Sequence, residues 1–222
     1  MAKRLLIVID GPAGAGKSTA ARLLARRLGY RYLDTGATYR VCALRARETG
    51  ITPEMTGELT RLCAEIRIGF KDTEEGQRVF MDNRDVTEAI RTPEISMLAS
   101  RISQELVVRE ALVDLQRSLG GPGVVAEGRD MASVVFPQAD CKFYLDARPE
   151  ERGTRRYKEL LNRGMAADLD GVMADTNRRD SEDRNRKVAP LRQAQDAVTI
   201  DSTDLTPEEV VDRMLVEIKR QV

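Results

Sequence analysis

Gly11-Pro12-Ala13-Gly14-Ala15-Gly16-Lys17-Ser18-Thr19 joins a pliable backbone to one cation and two hydroxyls, a set suited to holding phosphate. Gly11, Gly16, Lys17 and Ser18 fit the spacing G-x-x-x-x-G-K-[ST]. Glycines let successive backbone N–H groups curl around an anion without Cβ clashes, and a helix N-terminus adds partial positive charge. At this spacing Lys17 reaches the β and γ phosphates of a nucleoside triphosphate, and the Ser18 hydroxyl is the expected ligand of Mg²⁺. ATP is the expected ligand of the whole stretch from Gly11 to Thr19. The flanks are what such a loop requires: the apolar run Leu5-Leu6-Ile7-Val8-Ile9 reads as a buried strand, and residues 20–28 have helical composition.

Three further places carry chemistry-bearing side chains. Asp34-Thr35 precedes a helical stretch reaching Glu48, with Arg40 one turn in. Those residues read equally well as a plain helix cap or as a second anion site in which Arg40 pairs with a phosphate. Glu127-Gly128-Arg129-Asp130 follows the short strand Val124-Val125-Ala126, and ligands of open α/β sheets bind at the carboxyl ends of strands. The alternative there is a surface turn with Asp130 as a helix N-cap. Arg179, Asp183 and Arg186 fall at i, i+4, i+7, which predicts one helix face, within a segment holding twelve basic and nine acidic residues from Ala147 to Arg192. A solvated helix with Asp180–Arg184 and Glu182–Arg186 pairs competes with an arginine arm that closes over phosphates, Asp183 holding part of the substrate. Arg152, Arg155 and Arg156 are further candidates for that arm.

The elements that must position these residues alternate. A strand at Arg31-Tyr32-Leu33, helices at residues 54–66 and 93–119 (the latter bent near Ser103 and containing Ser100 and Arg109), a strand at 141–145, a helix from Pro149 and a strand at 197–200 follow in order. The last helix opens with Thr206 as N-cap, Pro207 at N1 and Glu209 at N3, and its apolar face comprises Val210, Met214, Ile218 and either Leu215 or Val216. Five short apolar strands separated by helices predict a parallel sheet flanked by helices, an α/β fold. Ile66-Arg67-Ile68-Gly69-Phe70 and Arg78-Val79-Phe80-Met81 instead alternate, predicting an antiparallel hairpin turning at residues 72–76, foreign to a parallel sheet and read as an insert. Asp82-Asn83-Arg84-Asp85 offers a further turn. The expected organisation is a core of residues 1–35, 120–150 and 190–222, an insert at 36–119 and a helical lid arm at 151–189.

Composition narrows the chemistry. The chain of 222 residues has no histidine, which excludes Ser-His-Asp and Cys-His catalysis and His-ligated metals. Cys42, Cys63 and Cys141 are far apart in sequence, odd in number and lack C-x-x-C spacing, so neither a disulfide framework nor a zinc site is expected. Thirty-six basic residues balance thirty-six acidic ones, so no nucleic-acid partner is expected. With no long apolar run and no cleavable leader pattern after Met1-Ala2-Lys3-Arg4, no membrane is expected either, and the cytoplasm is the default compartment.

A GTPase would carry an N-K-x-D base-reading loop, and a motor or remodelling ATPase a strand ending in Asp-Glu. Neither pattern is present. A second set of anion contacts points to a second phosphorylated small molecule. An acceptor phosphate is already ionised at neutral pH, so phosphoryl transfer to it needs no general base, in keeping with the missing histidine.

Motifs in order along nearly the whole chain resemble the bacterial cytidylate kinases, a branch of the nucleoside monophosphate kinases. They are Asp10-Gly11-Pro12 leading into the glycine-rich loop, Asp34-Thr35-Gly36-Ala37-Thr38-Tyr39-Arg40, Ile90-Arg91-Thr92, Val108-Arg109-Glu110, Glu127-Gly128-Arg129-Asp130-Met131, Val134-Val135-Phe136-Pro137, Arg179-Asp180 through Asp183 to Arg186, and Ala189-Pro190-Leu191. The resemblance implies a P-loop NTPase core, an enlarged monophosphate-binding insert built on the hairpin, and Mg²⁺- and ATP-dependent phosphorylation of CMP and dCMP in pyrimidine metabolism. It implies that Thr35 holds the acceptor, that Arg40, Arg129 and Arg186 engage its phosphate, that Ser100, Arg109 and Asp130 read cytosine, and that Arg179 and Asp183 approach the sugar. Lys17, Arg129, Arg179 and Arg186 are the expected catalytic residues, and a monomer is the expected state. Ala132-Ser133 stands where many members carry Gly-Thr. The competing readings are a kinase for UMP or a non-nucleotide acceptor, and a nucleotide-dependent switch whose arginine arm meets a protein or RNA.

Overall fold

The computed structural model describes residues 3–73 and 76–221. Met1-Ala2, at the start of the expected leader-free N-terminus, and Glu74-Glu75, inside the expected hairpin turn, lie outside them. The chain divides into two compact units, one of Met1–Leu33 with Gly120–Val222 and one of Asp34–Leu119.

The first unit is built on a five-stranded sheet. In chain order β1 is Leu6–Asp10 and β2 Arg31–Asp34; strands β3 to β5 belong to the second unit; β6 is Val124–Glu127, β7 Cys141–Asp146 and β8 Val198–Asp201. The spatial order is β2-β6-β1-β7-β8, and β1 runs parallel to both β6 and β7 with Ile9 opposite Glu127 on one side and Phe143 on the other. An uninterrupted apolar run suits a central strand covered on both faces. Helix α1 (Lys17–Leu28) and the terminal helix α8 (Pro207–Gln221) pack on each other and close a core with Ile7, Ile9, Leu24, Phe143, Leu145 and Met214, all fully buried. Burial of each such large side chain contributes roughly 1.5–3 kcal/mol. The expected cap of α8 forms: the Glu209 carboxylate accepts from the Thr206 amide at 2.8 Å, and the Glu209 amide donates to the Thr206 hydroxyl at 3.3 Å. Of the two candidates for its apolar face, Leu215 packs on the core and Val216 is exposed.

The same unit carries the charged arm as two packed helices, α6 (Pro149–Asn162) and α7 (Leu169–Asn185). Gly153 permits their close approach, since a Cβ there would lie 2.5 Å from Met173 Cγ.

The second unit holds α2 (Thr35–Thr49), α3 (Thr56–Glu65), α4 (Pro93–Ile102) and α5 (Leu106–Leu119) around Leu44, Leu59, Ile90, Ile95 and Ile102. The break between α4 and α5 falls at Ser103, as the sequence predicts. Its sheet is larger than the expected hairpin: β3 (Ile68–Thr73) and β4 (Gly76–Met81) are antiparallel, and Arg84–Asp85 forms a third strand, β5. Asp82 (φ 49°) and Asn83 (φ 70°) make the tight turn alone, a left-handed pair that Asp and Asn tolerate. Among the described residues no helix is long and apolar enough to cross a membrane.

Candidate active site

The carboxyl ends of β1 and β6 bring the first unit's candidate site residues together. Gly11 leaves β1 with φ 145°, and a Cβ there would lie 1.9 Å from the Leu145 carbonyl oxygen, so the loop can hug the sheet edge only with glycine. Gly14 (φ 74°) is equally confined, 2.5 Å from the Arg152 carbonyl oxygen by the same measure. Gly16 caps α1 in the left-handed region with no side-chain cap, and Lys17 and Ser18 open the helix. An uncapped helix N-terminus with a glycine-rich approach is an anion cradle.

Lys17 is buried, and its ammonium donates to the Pro12 carbonyl at 2.6 Å. Burial, followed by the repulsion of Arg129, pushes its pKa down to about 7. Ser18 donates to Glu127 at 2.5 Å, and the Tyr32 hydroxyl donates to the same carboxylate oxygen at 3.0 Å. A hydroxyl beside a buried carboxylate is a hard oxygen donor set of the kind that suits Mg²⁺.

Arg129, two residues beyond Glu127, donates to Asp183 of α7 at 2.8 Å. Asp183 also faces Arg186 at 3.8 Å, and Arg186 lies 3.8 Å from Asp130. Burial pushes the Asp183 carboxyl up, but Arg129, Arg179 and Arg186 outweigh it and hold the group below the usual carboxylate range. Arg179 is half-buried, and its charge acts on both Lys17 and Asp183. Arg129, Asp130, Arg179, Asp183 and Arg186, scattered over the sequence, are thus gathered at one sheet edge of the first unit.

Two expectations for this segment are corrected. Arg186 does not share a helix face with Arg179 and Asp183, because α7 ends at Asn185 and Arg186 is its extended C-cap (φ −61°, ψ 141°); its guanidinium reaches Asp183 from beyond the helix. Asp180 is not the outward half of a solvent pair with Arg184. It is 2% exposed, pairs with Arg152 and accepts from the Ala13 amide at 3.0 Å, while Arg152 donates to the Ala13 carbonyl at 3.1 Å. Asp130 is buried, with no capping hydrogen bond from its side chain. Of the other arm arginines, Arg155 donates to Ser202 and Thr203, and Arg156 pairs with Glu159.

The second unit gathers the remaining candidates. Asp34 caps α2 by accepting from the Ala37 amide at 3.0 Å, and the same carboxylate accepts from Arg40 at 2.7 Å and lies 3.4 Å from Arg91. Against the upward push of burial, Arg40 and Arg91 hold its pKa below the ordinary value. Asp34 is thus the cap of this helix and also holds the Arg40 guanidinium. Thr35 is buried at the first position of α2, where its carbonyl accepts from Thr38 Oγ1 at 2.7 Å. Gln116 joins it, donating to Thr38 at 2.8 Å. Buried Ser100 and Arg109 meet through Ser103, whose hydroxyl donates to the Ser100 carbonyl at 2.8 Å and whose carbonyl accepts from Arg109 at 3.2 Å. Arg109 also stands over the Tyr39 ring at 5.6 Å.

Sequence reasoning assigned no role to Asp10, Arg91 or Gln116. Asp10 ends β1, is 2% exposed, and accepts from the Met131 and Ala132 amides, each at 2.8 Å. It thereby pins the backbone just after Arg129-Asp130, at Met131 and Ala132. The acidic end of an otherwise apolar β1 was the available signal: a buried central strand spends a carboxylate only where something must be held.

A parallel α/β sheet presenting a glycine-rich loop, a buried lysine and a file of arginines defines a phosphotransferase of the P-loop class. The family model for "Cytidylate kinase" matches residues 7–220. Named cytidylate kinases that the chain resembles include that of Geobacter sulfurreducens, 53% identical over 95% of this chain and 91% of the relative. That of Syntrophotalea carbinolica is 49% identical over 97% and 92%, and that of Mannheimia succiniciproducens 44% identical over 100% and 99%. The chain belongs to the cytidylate kinase family, enzymes that are nucleoside monophosphate kinases.

Proposed function

We propose that the protein transfers the γ-phosphoryl group of ATP in line to the phosphate of CMP or dCMP, in the cytoplasm and as a monomer, and that no side chain acts as a general base. The observation that carries the reading is the joining of two features at one sheet edge. Lys17 and Ser18 sit in the phosphate loop, Arg129 and Arg186 both face Asp183, and Arg186 also faces Asp130.

Gly11 to Thr19 bind the triphosphate, whose oxygens replace the Pro12 carbonyl as partner of Lys17. Ser18 and Glu127 are the residues that would hold Mg²⁺, which would supply charge neutralisation during transfer. Arg129, Arg179 and Arg186 meet charge on the transferring group, the term that dominates catalysis when no proton must move. Arg129, Arg186 and Arg40 engage the acceptor phosphate, and Thr35 holds the acceptor nucleotide. Ser100, Arg109 and Asp130 read cytosine, while Arg179 and Asp183 attend the sugar. Residues 151–189 act as a lid that excludes water, and residues 36–119 as the monophosphate-binding part of the chain.

ADP release from ATP and Mg²⁺, with CMP, dCMP, UMP, AMP, GMP and dTMP offered separately beside a no-acceptor control, tests the reading. Release with CMP and dCMP alone is expected. Equal release with and without acceptors makes the chain a hydrolase or a switch and removes Arg40, Asp130 and Asp183 from their roles.

A further inference from the structure

One peptide group of the phosphate loop is gripped on both sides. The Pro12 carbonyl accepts from the Lys17 ammonium at 2.6 Å, and the amide of the same peptide group, on Ala13, donates to Asp180 Oδ1 at 3.0 Å. Arg152 pairs with the other Asp180 oxygen, donates to the Ala13 carbonyl at 3.1 Å and, through Nε, to the Ala147 carbonyl at 2.9 Å. Asp180 and Arg152 are 2% and 3% exposed. An unbroken line of polar contacts therefore runs from α6 and α7 through one loop residue to the buried lysine. The contact continues along the loop. The Arg152 backbone abuts Gly14, and Arg155, three residues further along α6, donates at 3.0 Å to the Ser202 hydroxyl, which donates to the Ala15 carbonyl at 3.0 Å.

Stability alone does not account for the pair. A buried carboxylate and guanidinium lose hydration that their attraction only partly returns, and apolar replacements of such pairs are often neutral or stabilising. What these two side chains do that an apolar cluster cannot is hold both polar groups of Ala13, between the turns at Gly11 (φ 145°) and Gly14 (φ 74°). In the nucleotide-free loop Lys17 steadies the Pro12 carbonyl from the other side. Once a triphosphate draws Lys17 away, as the proposed function requires, the hold on this peptide passes to Asp180 and Arg152. Asp180 also stands between Arg179 and Asp183 on α7, so its bond to Ala13 sets that helix in register with the loop.

We propose that Asp180 and Arg152 form a positioning latch for phosphoryl transfer, one that stays shut when nucleotide binds. Through Ala13 the latch fixes the loop that aims Lys17, and it keeps α7, with Arg179 and Asp183, aligned to that loop. Neither residue need touch the nucleotide; both act through Lys17. The consequence for turnover rests on the function proposed above, whereas the latch itself is a property of the folded chain.

Asp180→Asn turns an NH₂ group toward one of its two donor partners, and Arg152→Lys keeps the charge but loses the fork that spans Asp180, Ala13 and Ala147. Each should lower kcat about 10–100-fold while the CMP KM moves less than about twofold. In a Lys17→Met background the same substitutions should cost less than about threefold, because a residue that acts through Lys17 has nothing left to aim. Equal losses in both backgrounds, or a CMP KM that rises as much as kcat falls, would overturn the proposal. Hydrogen exchange at the Ala13 amide of the wild-type protein decides the matter even where a variant fails to fold. Protection at least about tenfold above an unstructured chain is expected with and without ADP. Its absence in the free protein, or its loss when ADP binds, removes the latch. ADP release by the wild-type protein that does not depend on CMP would defeat the proposed function instead, and the exchange result would still judge the latch.

Discussion

The phosphate loop of the first unit and the start of α2 in the second both carry a buried charge beside two arginines, but with opposite sign and opposite result. Lys17 is a buried cation; burial first, then Arg129 and Arg179, disfavour its charged form against the pull of Glu127 and Asp180, and its pKa falls to about 7. Asp34 is a buried anion beside Arg40 and Arg91, and its charged form is secured. The first arrangement is electrostatically incomplete and gains when a polyanion arrives; the second is complete and spends its carboxylate on geometry. On the proposed function, the first would be a donor site that strengthens around the transferring group and the second an acceptor site already set, as suits a reaction whose barrier is charge and alignment rather than proton removal.

The largest way to break this comparison is Lys17→Met. The variant retains the buried stem and loses the charge, so turnover should fall by about 10²–10³-fold, as when one transition-state donor is removed. Stability without nucleotide should rise, on the order of 1–3 kcal/mol, because a disfavoured buried cation is gone. Calorimetric melting beside ADP release checks both halves, and a variant that is slow and also less stable contradicts the incomplete-site reading. Next in size is Arg40→Ala. The CMP KM should rise about 10–100-fold with little change for ATP, since a charged contact to the acceptor is lost. Folding should be little affected, because Asp34 keeps Arg91 at 3.4 Å and its helix-cap bond. Parallel rises in both KM values would merge the two sites that the comparison separates.

Asp10→Asn probes the same contrast more gently. The carboxylate accepts one amide with each oxygen, whereas the asparagine NH₂ must face one of those donors and break its bond. The cost is on the order of 1–3 kcal/mol. As a positioning residue for the segment bearing Arg129 and Asp130, Asp10 should show itself as a several-fold higher CMP KM and a weaker preference for cytosine over uracil. Restored selectivity in Asp10→Glu, with the ATP KM unmoved, separates positioning from a general loss of stability.

Legibility followed the distance over which each feature is determined. The phosphate loop, the apolar strands, the Thr206 cap and the break at Ser103 depend on neighbours a few residues away, and the structure has them where the sequence pattern predicts. Asp10 meets Met131 across 121 residues, Glu127 meets Ser18 across 109, and Asp180 meets Ala13 across 167. No periodicity encodes such pairs. Local rules also misled where tertiary partners outbid them. Asp180 forgoes a surface i, i+4 pair, typically worth about 0.3–0.5 kcal/mol, for a buried arginine and a loop amide.

A further expected effect follows from the pKa of Lys17 itself. Below about pH 7 the nucleotide-free lysine is already charged, and above it the group is largely neutral. A bound triphosphate favours the charged form and raises the pKa, so ATP binding above pH 7 must take up a proton. By linkage, affinity falls as pH rises, approaching a tenfold loss per unit while the free lysine is neutral and the bound one charged. Titration calorimetry at pH 8 in buffers of different ionisation enthalpy should register uptake of up to about one proton, and less at pH 6.5. Lys17→Met subtracts the nucleotide's own titration, and in it the uptake should vanish. The Asp34 side offers the internal contrast: a carboxyl held below its ordinary value stays ionised across this range, so CMP binding should show no matching proton uptake from that group. Uptake that survives in Lys17→Met would place the titrating group elsewhere and return Lys17 to an ordinary, already compensated cation.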